Sequence, residues 1–503
     1  MNELNTEFQF ASIRRDGLGA RIQVLLNAMA LSERFGSDFV FDWPDNPNTG
    51  SGDTLGPAEK FFTRAFLERH FRPGLADMLE KAGHDLSLSM TSERVDDFLA
   101  GRAAPVEWYT AWFQDLRPAL KLKDDIYREL FNRIEFAPPI QAAIERANQV
   151  PLAKNTRAFH IRAGDVIEKH FRFGGRFGRK VLAFPLAIDL ARSARLAGHD
   201  VIIFGQDPEV LGLLCDASGG RLAEQLVPNE MQAGPEAWFF EVALMARCEA
   251  ITTGSFSSFS EMASWIGTVE KVNGYDQFEA SAARELILGG TTARAPVRAL
   301  QKAHAYWALY DVYGAALSHE DAVRALSNAH AHDPINNLYP LSRINETFRR
   351  GDNRQAKHAL RRFLEDQKDV PRREQGSLLE VLFALSRPMN VQARETSLGG
   401  IFQRARTGDP DASLIGALVV QDANSFEEFC RNAARSRFRF RFRQPLEHRR
   451  KVLRALPDGL PPAYFRFGRL RRAFGLLPPA GTPTSAPASP PTPPAERPGS
   501  VPE

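Results

Sequence analysis

Between residues 151 and 290 short apolar segments alternate with segments of helical period, and no other feature constrains the fold as much. Ala158 to Arg162 reads as a strand, and a Gly- and Arg-rich loop follows it. The helical pattern from Pro185 to Ala197 leads to a strand at Asp200 to Phe204. Pro235 to Cys248 is helical and leads to a strand at Ala250 to Thr253, and Val269 to Val272 is a last short strand. Helices of this length between strands return the chain to the same sheet edge. The sheet is therefore expected to be parallel and covered on both faces. The start of the chain uses the same device. An apolar run, Phe8 to Ile13, is followed by Asp16-Gly17-Leu18-Gly19, and Ile22, Leu25, Leu26, Met29 and Ala30 then share one helical face. Gly36 is the expected stop, and Asp38 to Asp42 a second strand.

Beyond residue 300 the strand signal disappears. Tyr306, Leu309, Tyr310, Tyr313, Ala322, Leu326, Ala329 and Pro334 have the spacing of a tetratricopeptide repeat. Ala356 and Leu360 recur about 34 residues on, the period of that repeat. A generic helical bundle would show the same apolar spacing. Arg437 to Arg443 alternates Arg and Phe strictly, which as a strand puts the rings on one face and the cations on the other. From Pro478 the chain is rich in Pro, Ala, Ser and Thr and is expected to be disordered.

A chain of 503 residues is long enough for several domains. The net charge of +3 gives no ground for a nucleic-acid partner. The 3 cysteines, Cys215, Cys248 and Cys430, are too far apart for a metal or redox pair and suit a reducing compartment. The first residues do not read as a signal peptide, and no apolar run has the length of a membrane span, so a cytoplasmic location is expected. The basic C-terminal stretch adds a peripheral contact at the inner face of the membrane as one reading, and a solvated edge strand as the other.

Three stretches carry chemistry, each at the C-terminal end of an expected strand, where open α/β sheets bind ligands. In His160-Ile161-Arg162-Ala163-Gly164-Asp165 the strand sends His160 and Arg162 to one face, and the guanidinium of Arg162 can fork onto phosphate oxygens. A strand-end salt bridge between Arg162 and Asp165, beside a core histidine, is the plainer reading. In Gly205-Gln206-Asp207-Pro208 the Asp207 carboxylate can meet a guanine edge or ribose hydroxyls, or simply cap a helix that starts at Pro208. Gly254-Ser255-Phe256-Ser257-Ser258-Phe259-Ser260 enters a helix with small residues, which leaves N–H groups and hydroxyls for an anion, or again only for a cap.

As an ordered set these stretches resemble a family. His160 to Asp165 is similar to the His-x-Arg-Arg-Gly-Asp motif of the α1,2- and α1,6-fucosyltransferases, including the rhizobial nodulation enzymes and the protein O-fucosyltransferases. Gly254 to Ser258 resembles their Gly-Thr-Phe-Ser-Ser stretch, Glu241 to Cys248 their lead-in to it, and Phe204 to Pro208 their Asp-Asp-Pro segment. Gly17-Leu18-Gly19-Ala20-Arg21 resembles their Gly-Leu-Gly-Asn-Arg opening. The likeness spans roughly residues 10 to 275. It departs at Ala163, where the family has a second arginine, and more mildly at Ala20.

The resemblance implies an α/β chain of the GT-B type, with two Rossmann-like domains ahead of an all-α repeat-like region and a disordered tail. The implied plan is 1–150 for the acceptor side, 151–295 for the donor nucleotide-sugar, 296–390 helical, 391–477 basic and 478–503 a tail. It implies inverting transfer of fucose from GDP-fucose to a glycan, lipid-linked glycan or protein hydroxyl, with no metal or other cofactor. Donor contacts are expected from His160, Arg162, Gly205, Asp207, Ser255, Ser257, Ser258 and Phe259, and from Gly17, Gly19 and Arg21. Catalytic candidates are Arg162, Asp165, Glu168, His170 and Asp16, the last three as general base. Lys169, His170, Arg172, Arg176, Arg179 and Lys180, among glycines, would suit a lid over the diphosphate or a plain surface loop. Two other readings stay open: transfer from another nucleotide-sugar, and a non-catalytic scaffold whose helical repeat recruits a protein partner.

Overall fold

The computed structural model describes residues 9–44, 55–81, 90–101, 108–175, 178–232, 234–291, 296–367, 378–386, 391–420, 422–438, 446–447 and 449. The first unit holds a three-stranded parallel sheet of β1 (Gln9–Ile13), β2 (Phe39–Asp42) and β3 (Trp108–Thr110), in the order β2-β1-β3. The helix Leu18–Phe35 crosses from β1 to β2 and ends at Gly36, whose φ of 65° is left-handed. The second unit holds β4 (Arg157–Ile161), β5 (Val201–Gly205), β6 (Arg221–Leu222), β7 (Ala250–Thr253) and β8 (Glu270–Asn273). They form one parallel sheet in the order β6-β5-β4-β7-β8.

Alternation along β4 divides two cores. Phe159 and Ile161 face one core, which also takes in the helix Phe184–Leu196 and the whole helical part of the chain. Ala158 faces the other, with Ile202, Phe204 and Ile251. That second core also contains Ile22, Leu25, Leu26 and Met29 of the Leu18–Phe35 helix. The two α/β units thus share apolar interior on one face of the second sheet, and the helical part covers the other face. The helix Pro138–Gln149 lies before the expected boundary at 150, yet Ile140, Ala143 and Ala147 pack in this core against the helix Pro235–Met245.

The helical part is more extensive than expected. Helices Ala299–Tyr313, His319–His332, Leu338–Arg349 and Asn353–Asp366 pack consecutively. Ala322, Leu326, Ala329, Ala356 and Leu360, the positions singled out by spacing, are all buried. Leu378–Leu385, Val391–Arg406, Pro410–Val419 and Ala423–Ala433 continue the same core, so the basic region assigned from residue 391 opens with three packed helices. In the Arg/Phe run, Phe438 is buried in this core and Arg437 pairs with Glu365 at 3.3 Å. Residues 439–445 and the tail from 478 lie outside the described residues. No helix among the described residues is long and apolar enough to cross a membrane. Asp409 and Asp411, the one Asp-x-Asp, serve structure: Asp409 caps the helix Pro410–Val419 through Ala412 N–H, and Asp411 binds Arg361 and Ser436.

Candidate active site

In the second sheet the chain runs outward from β4 to β5 and β6, then returns to the other side of β4 for β7 and β8. Connections therefore diverge at the C-terminal ends of β4 and β7, the place where open parallel sheets leave a ligand crevice. His160 of β4 and Thr253 of β7 are register partners there. His160 is 7% exposed and its Nδ1 has no hydrogen-bond partner among the described residues. The same holds for Thr253 Oγ1 and Ser257 Oγ, both on residues with no exposed surface. Ser257 stands at the cap position of the helix Ser258–Gly267 but makes no side-chain cap bond. Its first-turn N–H groups and its hydroxyl are left for another acceptor. Leaving a buried polar group unsatisfied costs about 1–3 kcal/mol. Three such groups stand at one switch point.

The neighbouring charge agrees. Burial, reinforced by the Arg162 charge, pushes the His160 imidazole down to about 3, so the ring is neutral at pH 7. Its ring lies 5.6 Å from that of Phe259. Arg162 is half-buried just past β4, in line with His160. Two glycines let backbones converge on the helix start. A Cβ on Gly19 would stand 2.5 Å from Ser258 O, and one on Gly254 2.5 Å from the carbonyls of Arg179 and Lys180. Ser258 and Phe259 are half-buried at the same start.

Other expected residues turn out to be engaged elsewhere. Asp207 is the clearest case. Its carboxylate is fully buried, accepts Val210 N–H at 3.3 Å, and takes Arg298 Nη2 and Gln301 Nε2 at 2.5 Å each. These three donors enclose the buried carboxylate, so Asp207 caps a helix and ties the helical unit to the sheet. Glu168 pairs with the same Arg298. Gly205 serves backbone approach, since a Cβ there would lie 2.4 Å from Ile161 O. Ser255 gives both its N–H and its hydroxyl to Arg179 O, at 2.7 and 3.1 Å. Arg21 is buried, donates to Asp16 O and Pro44 O at 2.8 Å each, and lies over Trp43, so it braces the first loop rather than a donor. Asp16 is half-exposed and pairs with Arg14 at 2.5 Å, and a Cβ on Gly17 would meet nothing within 4 Å.

The loop after β4 is not a free lid. Arg172 is bound to Asp333 at 3.1 Å and Arg179 to Asp311 at 2.7 Å, both partners belonging to the helical unit. Ala163 is fully buried with Val166, Ile167 and Val181, so its side chain fills an apolar cluster where an arginine would not fit. The side chains of Asp165 and His170, and the whole of Arg176, lie outside the described part.

Sequence reasoning missed Thr253, whose pairing with His160 depends on sheet order and leaves no local signal. It also missed a second cluster, at the β1/β3 switch point. The Arg14 guanidinium lies 4.5 Å from the Trp112 ring centre and 4.7 Å from that of Phe113. The Phe113 ring stands 5.7 Å from Phe256, and Lys180 Nζ 4.8 Å from Phe256. The C-terminal edges of the two sheets thus meet across these rings. Gln23, one helical turn after Gly19, is fully buried with both amide atoms unpartnered. Among the described residues no three His, Cys, Asp or Glu side chains group as a metal site would.

Two parallel α/β units whose C-terminal edges meet, each with a switch point in its strand order, define the class of this chain. No family model matches it, and no curated protein matches it. Among solved structures it is similar to a NodZ alpha-1,6-fucosyltransferase soaked with GDP-fucose, at 18% identity and TM-score 0.34, over 52% of this chain and 92% of that one. It is similar to fucosyltransferase NodZ from Bradyrhizobium at 16% identity and TM-score 0.33, over 52% and 93%. It is similar to POFUT1 in complex with GDP-fucose at 10% identity and TM-score 0.28, over 52% and 95%.

Proposed function

We propose that this chain is a glycosyltransferase that binds a nucleoside-diphosphate sugar at the β4/β7 switch point, with a GDP-sugar, and GDP-fucose first among them, as donor. The observation that carries the reading is the cluster of buried, unpartnered polar atoms: His160 Nδ1, Thr253 Oγ1 and Ser257 Oγ. A diphosphate supplies acceptors for the two hydroxyls and for the N–H groups that open the Ser258–Gly267 helix. The neutral His160 ring fits a place beside the nucleotide, since it adds no charge to desolvate. As the sugar–phosphate bond breaks, negative charge grows on the departing diphosphate. Arg162 and the helix start would stabilise it. The acceptor, a glycan, lipid-linked glycan or protein hydroxyl, would approach from the β1/β3 edge, where Trp112 and Phe113 stand.

A different nucleotide-sugar is the second reading, and Asp207 favours it. With that carboxylate bound to Arg298 and Gln301, guanine loses its expected partner. Calorimetry of the full chain against GDP, UDP and ADP, with Arg162→Ala beside the wild type, tests both. The expected result is selective binding of one diphosphate, weakened at least about tenfold in the variant by loss of charge-assisted bonds. Binding of none of the three would overturn the transferase reading.

A further inference from the structure

The helix Ala299–Tyr313 opens the helical unit, yet residues at its ends and along it bond to the turn after β5 and to the loop after β4. Arg298 and Gln301, at its N-terminal end, hold Asp207 in the turn after β5. His304 Nε2 donates to Val181 O at 3.0 Å in the loop after β4. Near its C-terminal end stands Asp311, 7% exposed. Arg179 donates from Nε to Asp311 Oδ2 at 2.7 Å and from Nη2 to Asp311 O at 2.5 Å. The carbonyl of Arg179 is the acceptor for both Ser255 N–H and Ser255 Oγ. Gly254, beside it, has no room for a Cβ against the Arg179 and Lys180 carbonyls. The turn that delivers Ser257 to the ligand is therefore moulded on the backbone of Arg179, and Arg179 is fixed by Asp311.

We infer that Asp311 is a positioning residue for the diphosphate: through Arg179 it sets the Gly254–Ser257 turn in its binding geometry. This rests on the nucleotide reading of that turn. A forked guanidinium–carboxylate contact fixes direction as well as distance, which a loop carbonyl cannot do alone. Without it the turn spreads over several conformations, and apparent affinity falls with the fraction that remains competent. The helical unit is then part of the donor site, and cutting the chain near residue 295 removes a wall of it.

A matched control lies in the same loop. Asp333 holds Arg172 in a similarly buried pair, at 3.1 Å, but the Arg172 guanidinium otherwise donates to the carbonyls of Glu168 and Lys169. The test compares Asp311→Asn, Asp333→Asn and wild type in the full chain. It reads thermal stability, calorimetric affinity for whichever of GDP, UDP or ADP the wild type binds, and hydrogen exchange of residues 252–260. Both variants are expected to lose stability. Only Asp311→Asn should weaken the nucleotide, by about tenfold, and speed exchange at Ser255. If Asp311→Asn does not fold, Arg179→Lys keeps the charge, loses the fork and should give the same pair of changes. Equal affinity losses in the two Asp variants, or unchanged affinity and exchange in Asp311→Asn, would overturn the inference. A wild type that binds no nucleotide would sink the donor reading instead. Exchange at Ser255 would still decide the relay: faster in Asp311→Asn alone supports it, unchanged overturns it.

Discussion

The turns after β5 and β7 look alike in sequence and have opposite fates. Each leaves a strand through a glycine and opens a helix with a capping-type residue, Asp207 in one and Ser257 in the other. Asp207 caps its helix and binds Arg298 and Gln301. Ser257 is as deeply buried and bonds to nothing through its side chain. The difference comes from a third element. The helix Ala299–Tyr313 brings donors to Asp207 but only backs the turn before Ser257, through Asp311 and Arg179. A polar residue at a strand end becomes a ligand residue only where the fold leaves it unsatisfied.

The largest break in this comparison should come from Asp207→Ala. It removes a cap, worth about 1 kcal/mol, and strands Arg298 and Gln301. We expect a loss of about 3 kcal/mol in urea unfolding, the low end for a broken buried pair because Arg298 is 44% exposed and can rehydrate. Loss of nucleotide affinity with stability intact would instead return Asp207 to base recognition.

Acid should separate the edge next. His160 is held down to about 3 by burial and the Arg162 charge, and His304 to about 4 by burial, against an ordinary value of 6.5. Below about pH 6.5 the unfolded chain takes up these protons while the folded chain does not. Stability is therefore full above that pH and falls as pH drops toward 4, by up to about 1.4 kcal/mol per pH unit for each ring. His160→Gln should remove one ring's share, seen as a flatter plot of urea midpoint against pH. Curves of equal slope would mean that His160 meets water and titrates normally.

Ser257→Ala and Thr253→Val test the unsatisfied side directly. Each removes a buried hydroxyl with no partner among the described residues, so stability should hold or rise by up to about 1 kcal/mol. Nucleotide affinity should fall about tenfold in each. The opposite pattern, a clear loss of stability with full affinity, would make them ordinary core residues.

Much of this was legible in the sequence. Alternating period placed β7 at Ala250–Thr253 to the residue, and β4, β5 and β8 within one residue at either end. Ser257 and His160 were legible as candidates because strand ends and helix starts are local patterns. Thr253 was not, since its role depends on β7 returning beside β4. The engagement of Asp207, Glu168, Arg172 and Arg179 was equally hidden. Their partners lie between 91 and 161 residues away along the chain, in a unit whose helical period says nothing about which face meets the sheet. Ala163 read as a lost cation, whereas its environment is an apolar cluster whose wall, Val181, comes from the far end of the same loop.

Gln23 carries the smallest expected effect and the finest distinction. It sits between Gly19, which abuts the start of the Ser258–Gly267 helix, and Asn27, whose amide donates to the carbonyls of Trp112 and Gln114 at 2.6 and 2.7 Å. Like Ser257 it is buried and unsatisfied, but it belongs to the first unit and to the edge where the acceptor would enter. If unsatisfied atoms report the ligand nearest to them, the nucleotide should not depend on it. Gln23→Leu keeps the volume and removes both polar atoms, so it should stabilise the chain by about 1 kcal/mol and leave nucleotide affinity within about twofold. Thermal melts and the same calorimetric titration read both. A nucleotide affinity that fell with Gln23→Leu as it does with Ser257→Ala would join the two edges into one donor site and leave the aromatic cluster of Trp112 and Phe113 without a separate role.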